Sequence, residues 1–389
     1  MSAQISPALR LESHASIDAV PAGQWNALNR ADDPFLSHEF LAALERHDCV
    51  GPRYGWLPRH LTAWQGERLV GAVPLYQKDN SYGEFVFDFA WADAYQRHGL
   101  AYYPKLVAAV PYTPATGQRL LVAEHADPAL LSKALLERAE TLAETSGCSS
   151  LHWLFITEQE DARLGELGLM QRLGCQFHWR NRGYSDFEAF LSSLTSKRRK
   201  NIRRERRVVR EAGIRIEVLH GSEVSAEQWR TFARFYAKTF EERYSLATLT
   251  EGFFREVGRT LGDRVILVLA HDGAECVAGA LLYRSPNTLY GRHWGCLRDY
   301  DSLHFEVCFY QGIDFCIRQG LQRFEPGAQG EHKIWRGFLP TLTWSRHWVA
   351  HPGFRSAIDD FLRRERSAML DYARSLGESS PYRQDTASP

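Results

Sequence analysis

The sequence has no C-x-x-C pair, no run approaching the ~20 consecutive apolar residues of a membrane span, and no net charge. Each absence removes a class of protein. The seven cysteines, at 49, 148, 175, 276, 296, 308 and 316, are odd in number and mostly lie in apolar surroundings. That pattern points to core thiols in a reducing compartment, not to a disulfide framework. The first residues, Met1-Ser2-Ala3-Gln4-Ile5-Ser6-Pro7, lack both a charged n-region and an apolar h-region, so the expectation is a soluble, cytoplasmic chain. There are 15 histidines, yet H-x-x-x-H at helical spacing is missing from the expected helices, and His347 with His351 falls at a Pro-Gly break. No metal site is expected. Balanced charge also excludes a general nucleic-acid coat protein.

What is present is charge concentrated in one place. Nine of the fourteen residues from Lys197 to Arg210 are basic, and only Glu205 is acidic. On a helix this stacks Lys200 over Arg204, Arg199 over Arg203 and Arg203 over Arg207, each like-charge pair costing roughly 0.2–0.5 kcal/mol. The apolar seam that could offset the repulsion is little more than Leu194, Ile202 and Val209. Such a helix calls for a polyanionic partner, with phosphate the first candidate; a solvated charged face is the alternative.

The length of 389 residues predicts two or three domains. Periodicity divides the chain into two runs of the same order: strand, two helices, three strands, helix, strand. In the first half helices are expected at 22–29 and 37–47, strands at 60–64, 68–77 and 84–91, and a long aromatic, proline-rich loop at 94–117. Asp127-Pro128 reads as N-cap and first helical residue, and Gly147 as a stop. A strand at 150–157, a helix at 160–173 and a strand at 176–180 follow. In the second half strands are expected at 215–220, 264–270, 275–284, 288–294 and 322–325, with helices at 226–244, 250–261 and 303–319. Gly71-Ala72-Val73-Pro74-Leu75-Tyr76 also echoes Ala278-Gly279-Ala280-Leu281-Leu282-Tyr283, which favours a duplication. The expected division is 1–185, a basic connecting helix 186–213, 214–375, and a disordered tail 376–389.

This order resembles the GNAT (Gcn5-related N-acetyltransferase) fold in tandem, as in the Fem aminoacyltransferases, and more closely the FemAB-like predicted N-acyltransferases of peptidoglycan biosynthesis and recognition. The resemblance covers roughly residues 10–375. It is carried by Tyr102-Tyr103-Pro104-Lys105-Leu106, the stretch Val110–Leu120, Lys197–Arg206, Leu303-His304-Phe305-Glu306 and the stretch Phe324–Lys333. It implies an α/β, mixed-sheet fold and an N-acyltransferase using aminoacyl-tRNA or acyl-CoA as co-substrate, with no tightly bound cofactor. The acceptor would be an amine on a small molecule, a peptide or a cell-wall precursor. A non-catalytic recognition protein on the same scaffold is the alternative, and RNA binding by the basic helix a third reading. The chain departs from the resemblance at two points. The Q/R-x-x-G-x-G/A turn that offers backbone N–H groups to CoA pyrophosphate is absent, which favours an aminoacyl-tRNA or unusual acyl donor. The Asp-Phe-Gly-Gly and Phe-Lys-x-x-Phe-Gly stretches of the Fem enzymes have only a distant echo in 324–338.

Acyl transfer needs a neutral amine, donors for the oxyanion and a proton for the leaving group. Glu325, Gln329, Glu331, His332, Lys333 and Arg336 place those types within twelve residues after a short strand. Glu325 or Glu331 is expected to act on the amine, and Lys333 or Arg336 to face the oxyanion. His304 is a candidate proton shuttle, and Glu306 suits a helix N-terminus. Lys197, Arg199, Lys200, Arg203, Arg204 and Arg207 are expected to hold donor phosphates. Tyr102, Tyr103, Lys105, Tyr112, Thr113 and Arg119 on the long loop, with Arg292, Trp294, Glu306 and Tyr310, are expected to bind an anionic acceptor. A solvated polar loop, or a lid that only seals, is the bland alternative for these groups.

Overall fold

The structure is a computed structural model and describes residues 8–328 and 330–383. It divides into two compact units, residues 8–174 with 343–370, and residues 175–328 and 330–342 with 371–383. The residues of the expected connector, 186–213, fall within the second unit.

The first unit opens with β1 (Leu9–His14), α1 (Ala22–Leu28) and α2 (His38–Arg46), followed by β2 (Trp56–Pro58), β3 (His60–Gln65), β4 (Arg68–Val73) and β5 (Leu75–Lys78). Pro74 divides the single strand read from sequence, because it has no N–H to give a ladder. β4 then joins one sheet, β1-β3-β4-β7, and β5 another with β2, β6 and β8. Next come α3 (Phe89–Arg97), β6 (Lys105–Ala108), β7 (Leu121–Val122), α4 (Pro128–Thr145), β8 (Ser150–Ile156) and α5 (Glu158–Glu166). α4 starts as its caps require, with the Asp127 carboxylate accepting from the N–H groups of Ala129 and Leu130. The strand expected at 84–91 is absent: a loop leads into α3. Its alternation is real but serves another purpose, since Glu84 and Asp88 turn inward to a buried lysine while Phe85, Phe87 and Phe89 face solvent.

β9 (Met170–Arg180) carries the chain into the second unit, where α6 (Phe187–Ser193), α7 (Ser196–Glu211) and β10 (Ile214–His220) follow. α8 (Ala226–Glu241) and α9 (Glu251–Leu261) then precede β11 (Val265–Asp272), β12 (Glu275–Arg284) and β13 (Thr288–Cys296). α8 buries Trp229, Phe232, Phe235 and Tyr236, and α9 buries Phe253, Phe254, Val257 and Leu261; both are helical stripes facing the sheet. α10 (Leu303–Phe305), a π turn (Glu306–Tyr310) and α11 (Gln311–Gln319) form one continuous helical run that leads to β14 (Arg323–Glu325). The strands order β10-β11-β12-β13-β14-β9, antiparallel except for the parallel pair β13–β14. The expected mixed α/β fold, with a GNAT-like element order, is what this unit has.

β15 (Leu339–Val349) returns the chain to the first unit, where its later residues pair with β8, and α12 (Pro352–Glu378) closes the order. The tail expected to be disordered from 376 is ordered as far as it is described. α12 runs to Glu378, and the Tyr382 hydroxyl, 7% exposed, donates to Gly337 O at 2.7 Å. Burying one aromatic ring against Gly337 holds the segment down. Residues 384–389 of that expectation lie outside the described residues.

Candidate functional site

The parallel pair β13–β14 is short. Its register covers Thr288, Leu289 and Tyr290 against Arg323, Phe324 and Glu325; β14 then ends while β13 runs on to Cys296. The two chains stay close at the parting point, where a Cβ on Gly291 would lie 3.2 Å from Pro326 Cα and one on Gly327 3.7 Å from Gly291 O. Several side chains converge here. Lys333, on a 3-10 turn Glu331–Arg336, is 4% exposed and its ammonium donates to Gly327 O at 2.8 Å. Burial pulls its pKa down to about 8. An ammonium has three donors, so among the described residues this one has N–H capacity to spare in a dry place.

Next to it His332 is half-buried, its ring 5.9 Å from those of Phe305 and Phe309. Its Nε2 is buried without a hydrogen-bond partner among the described residues. Burial, then Arg336 and Lys333, lower its pKa, so the ring is neutral at pH 7. His304 sits edge-on to Trp294 at 5.3 Å, and burial, His332 and Lys333 bring its pKa down to about 4. Glu325 is 3% exposed, 3.0 Å from the Arg323 guanidinium and within electrostatic reach of Arg292. Arg292 is itself lowered to about 10 by burial. Of the polar residues expected within 325–336, Glu325, His332 and Lys333 lie at or beside this point. Glu331 is on the surface, accepting from the Tyr372 hydroxyl at 2.7 Å, and Gln329 lies outside the described residues.

Arg336 does not face the parting strands. Its guanidinium forks onto Glu205 of α7 at 2.8 and 3.2 Å, bonds Tyr310 and His332 O, and lies 3.4 Å over the Phe305 ring. The Tyr310 hydroxyl donates to the same Glu205 carboxylate. The next residue of α7, Arg206, forks onto Glu306, 4% exposed, with both contacts at 3.1 Å. The basic helix is thus docked by two carboxylate forks on the helical run 303–319 and the 3-10 turn, which offsets its thin apolar seam. Sequence reading missed both anchors, Glu205 and Arg206; their partners are about 100 or more residues away, and no local spacing marks them. Glu306 and Tyr310 are accordingly engaged in this docking. Glu205→Ala would strand the buried Arg336, with an expected loss of about 3–5 kcal/mol in urea unfolding; a loss under about 1 kcal/mol would contradict the reading.

Arg198 lies 5.0 Å over the Trp335 ring, and the other cations of α7 divide into two rows. Arg203, Arg206, Arg207 and Arg210 line a cavity of about 610 Å³. Within it Arg203 pairs with Glu188 at 2.5 Å, and Arg207 lies 3.7 Å from Glu211 outside it. Lys197, Lys200 and Arg204 are exposed, and with the half-buried Arg199 they make no ion pair among the described residues.

In the first unit the loop residues point inward. Lys105 is fully buried and donates to Ser81 (2.9 Å), Glu84 (2.8 Å) and Asp88 (2.5 Å). Tyr102 donates to Asp88 at 2.5 Å, and Tyr103 shares a hydrogen bond with Ser81 at 2.8 Å. His152 and His347 join Nδ1 to Nδ1 at 2.6 Å beside this network. Tyr112 donates to Cys49 O, Thr113 to Pro111 O, and Arg119 (1% exposed) to Ala115 O and Gln118 O. Lys105 and Arg119, expected to meet an acceptor's anion, are instead internal, because the surrounding carboxylates and carbonyls take up their donors. Among the described residues no group of three His, Cys, Asp or Glu could hold a metal ion, and no helix is long and apolar enough to cross a membrane.

Against known proteins, the family model for FemAB-like peptidoglycan biosynthesis/recognition matches residues 16–384. The chain belongs to the FemAB-like family. Among solved structures, the C-terminal domain of a putative lysylphosphatidylglycerol synthetase from Agrobacterium fabrum aligns at TM-score 0.51 and 10% identity, over 87% of this chain and 95% of that one. FemX aligns at 0.49 and 12% (81% and 93%), and a tandem GNAT protein from the clavulanic acid biosynthesis pathway at 0.45 and 13% (89% and 99%). At such identities the likeness is one of fold. No curated protein sequence matches this FemAB-like chain.

Proposed function

We propose that this FemAB-like protein is an N-acyltransferase that moves an acyl or aminoacyl group from a phosphate-bearing carrier, aminoacyl-tRNA or acyl-CoA, to an amine of a peptide or cell-wall precursor in the cytoplasm. The observation that carries the reading is Lys333, an ammonium buried where two parallel strands part, with one acceptor and spare donors. The acceptor amine attacks the carrier's ester or thioester carbonyl. A C–N bond forms, and the Lys333 ammonium donates to the oxyanion that develops. His332 Nε2, neutral and unpartnered, takes the amine proton. The C–O or C–S bond then breaks, and the same proton passes to the leaving oxygen or sulfur. In this scheme His304 holds Trp294 and the ring cluster in place, and Glu325 orients Arg292. Glu331 has no role at the reacting atoms, which revises the expectation that it acts as base.

The open row Lys197, Lys200 and Arg204, with Arg199, suits a polyanionic carrier. Reversing Lys197, Lys200 and Arg204 to Glu is expected to weaken aminoacyl-tRNA binding at least tenfold in 50 mM salt and to flatten its salt dependence. Filter binding over a salt series, alongside acyl-CoA titration and mass spectrometry of an added amine, tests the carrier and the product together. If neither carrier binds and no amide forms, the enzyme reading fails.

A further inference from the structure

The cavity on the inner row of α7 has a second character that phosphate binding alone does not use. Besides the arginines its wall has an aliphatic part: Leu191 from α6, Val209 from α7, and Ile214 and Ile216 from β10. β10 is the edge strand of its sheet, so these isoleucines lie at the sheet's end. The one aromatic wall residue, Phe187, already carries the Arg206 guanidinium at 4.3 Å, which leaves no free ring for a base to stack on. Apart from the arginines, the polar side chains of the wall are Glu188 and Glu306, both committed to arginine forks or pairs. No Asn, Gln, Ser or Thr lines the wall, and its two glutamates are engaged by arginines, so the arginines are the hydrogen-bonding groups left for a ligand. Four arginines against two glutamates leave a surplus of two positive charges, the match for a phosphate dianion. The volume of about 610 Å³ is within the roughly 300–1,000 Å³ of small-molecule sites.

We infer that this cavity binds an alkyl phosphate, its phosphate held by Arg203, Arg207 and Arg210 and its chain laid along Leu191, Val209, Ile214 and Ile216. The inference rests on the reading of α7 as the phosphate-holding element, but assigns its two rows to different ligands. The outer row is left to a carrier, and the inner cavity takes an amphiphile whose apolar part is aliphatic. Aliphatic walls discriminate by length, because each buried CH2 adds about 0.8 kcal/mol, roughly fourfold in affinity.

Calorimetric titration of the full chain with ethyl, butyl, hexyl and octyl phosphate below their micelle concentrations tests this, with inorganic phosphate and AMP as further arms. Affinity is expected to climb about tenfold or more per two carbons from butyl to octyl, and to drop at least tenfold in Arg207→Glu/Arg210→Glu, whose sites are exposed and tolerant of change. Affinity independent of chain length, a pure phosphate site, overturns the inference, as does AMP binding more tightly than hexyl phosphate. Lys333→Met, which removes transfer under the proposed function, is expected to leave the octyl phosphate titration unchanged. Loss of transfer chemistry and loss of this site are therefore read separately.

Discussion

Lys333→Met is expected to abolish amide formation while raising stability at pH 7 by about 3 kcal/mol. The two effects share one cause. Burial brings the Lys333 pKa from 10.5 down to about 8, and each unit is worth about 1.4 kcal/mol between the protonation states. The fold therefore bears a charging penalty that is fully present below about pH 8. Between 8 and 10.5 the unfolded chain binds the extra proton, so stability of the natural protein climbs across that window. The Met variant keeps the volume and loses the charge, so that rise should vanish from its profile. Urea unfolding at pH 7 and pH 10, with kcat measured on the same preparations, checks both halves. The ammonium is the donor in the proposed step, so transfer by the natural protein should fall above about pH 8. A variant that is less stable at pH 7, or one that still transfers, would show that Lys333 is there for packing alone.

The second large effect concerns the first unit. Lys105→Met should cost about 3–5 kcal/mol, because it leaves Glu84 and Asp88, 4% and 2% exposed, without their shared cation. The two carboxylates respond differently to burial. Burial raises the Glu84 pKa to about 7, whereas at Asp88 the Lys105 ammonium and His152 overcome burial and hold it below the carboxylate range. The folded state binds a proton at Glu84 that the unfolded chain has released between about 4.5 and 7, so this contribution is lost as pH rises through 7. Lys105→Met should consequently be least unstable near pH 5 and fall away towards pH 8. Adding Glu84→Gln should recover part of the loss at pH 8 and little at pH 5. Thermal unfolding of the single and double variants at the two pH values decides it; equal losses at both would mean that the network is not what sets the cost.

Reading from sequence went furthest where a local rule governs. Asp127-Pro128 and Gly147 bracket a helix because capping and positive φ are properties of the residues themselves. The apolar stripes of α8 and α9 are written at helical spacing. The loop before α3 defeated the same logic. Its period-2 pattern alternates aromatic rings with Glu84 and Asp88, and periodicity cannot say that the carboxylates are the buried set. A lysine across the fold, Lys105, made them so. Likewise Pro74 was visible, but that it divides a strand between two sheets depends on which partners lie on each side.

For the candidate site the division is similar. The residue types that acyl transfer would need were legible in 325–336, and so was the concentration of like charge in Lys197–Arg210. Which of those groups face one another was not legible. Glu331 went to the surface, Arg336 was taken up by Glu205, and Lys333 reached the parting strands, because a π turn and a six-residue 3-10 turn set directions that spacing does not encode. Composition and local pattern determined the class of fold and where the charge lies along the chain. Tertiary structure decided which charges are neutralised, which lie bare and which are dry, since burial and partner choice are properties of residues far apart in sequence and near in space.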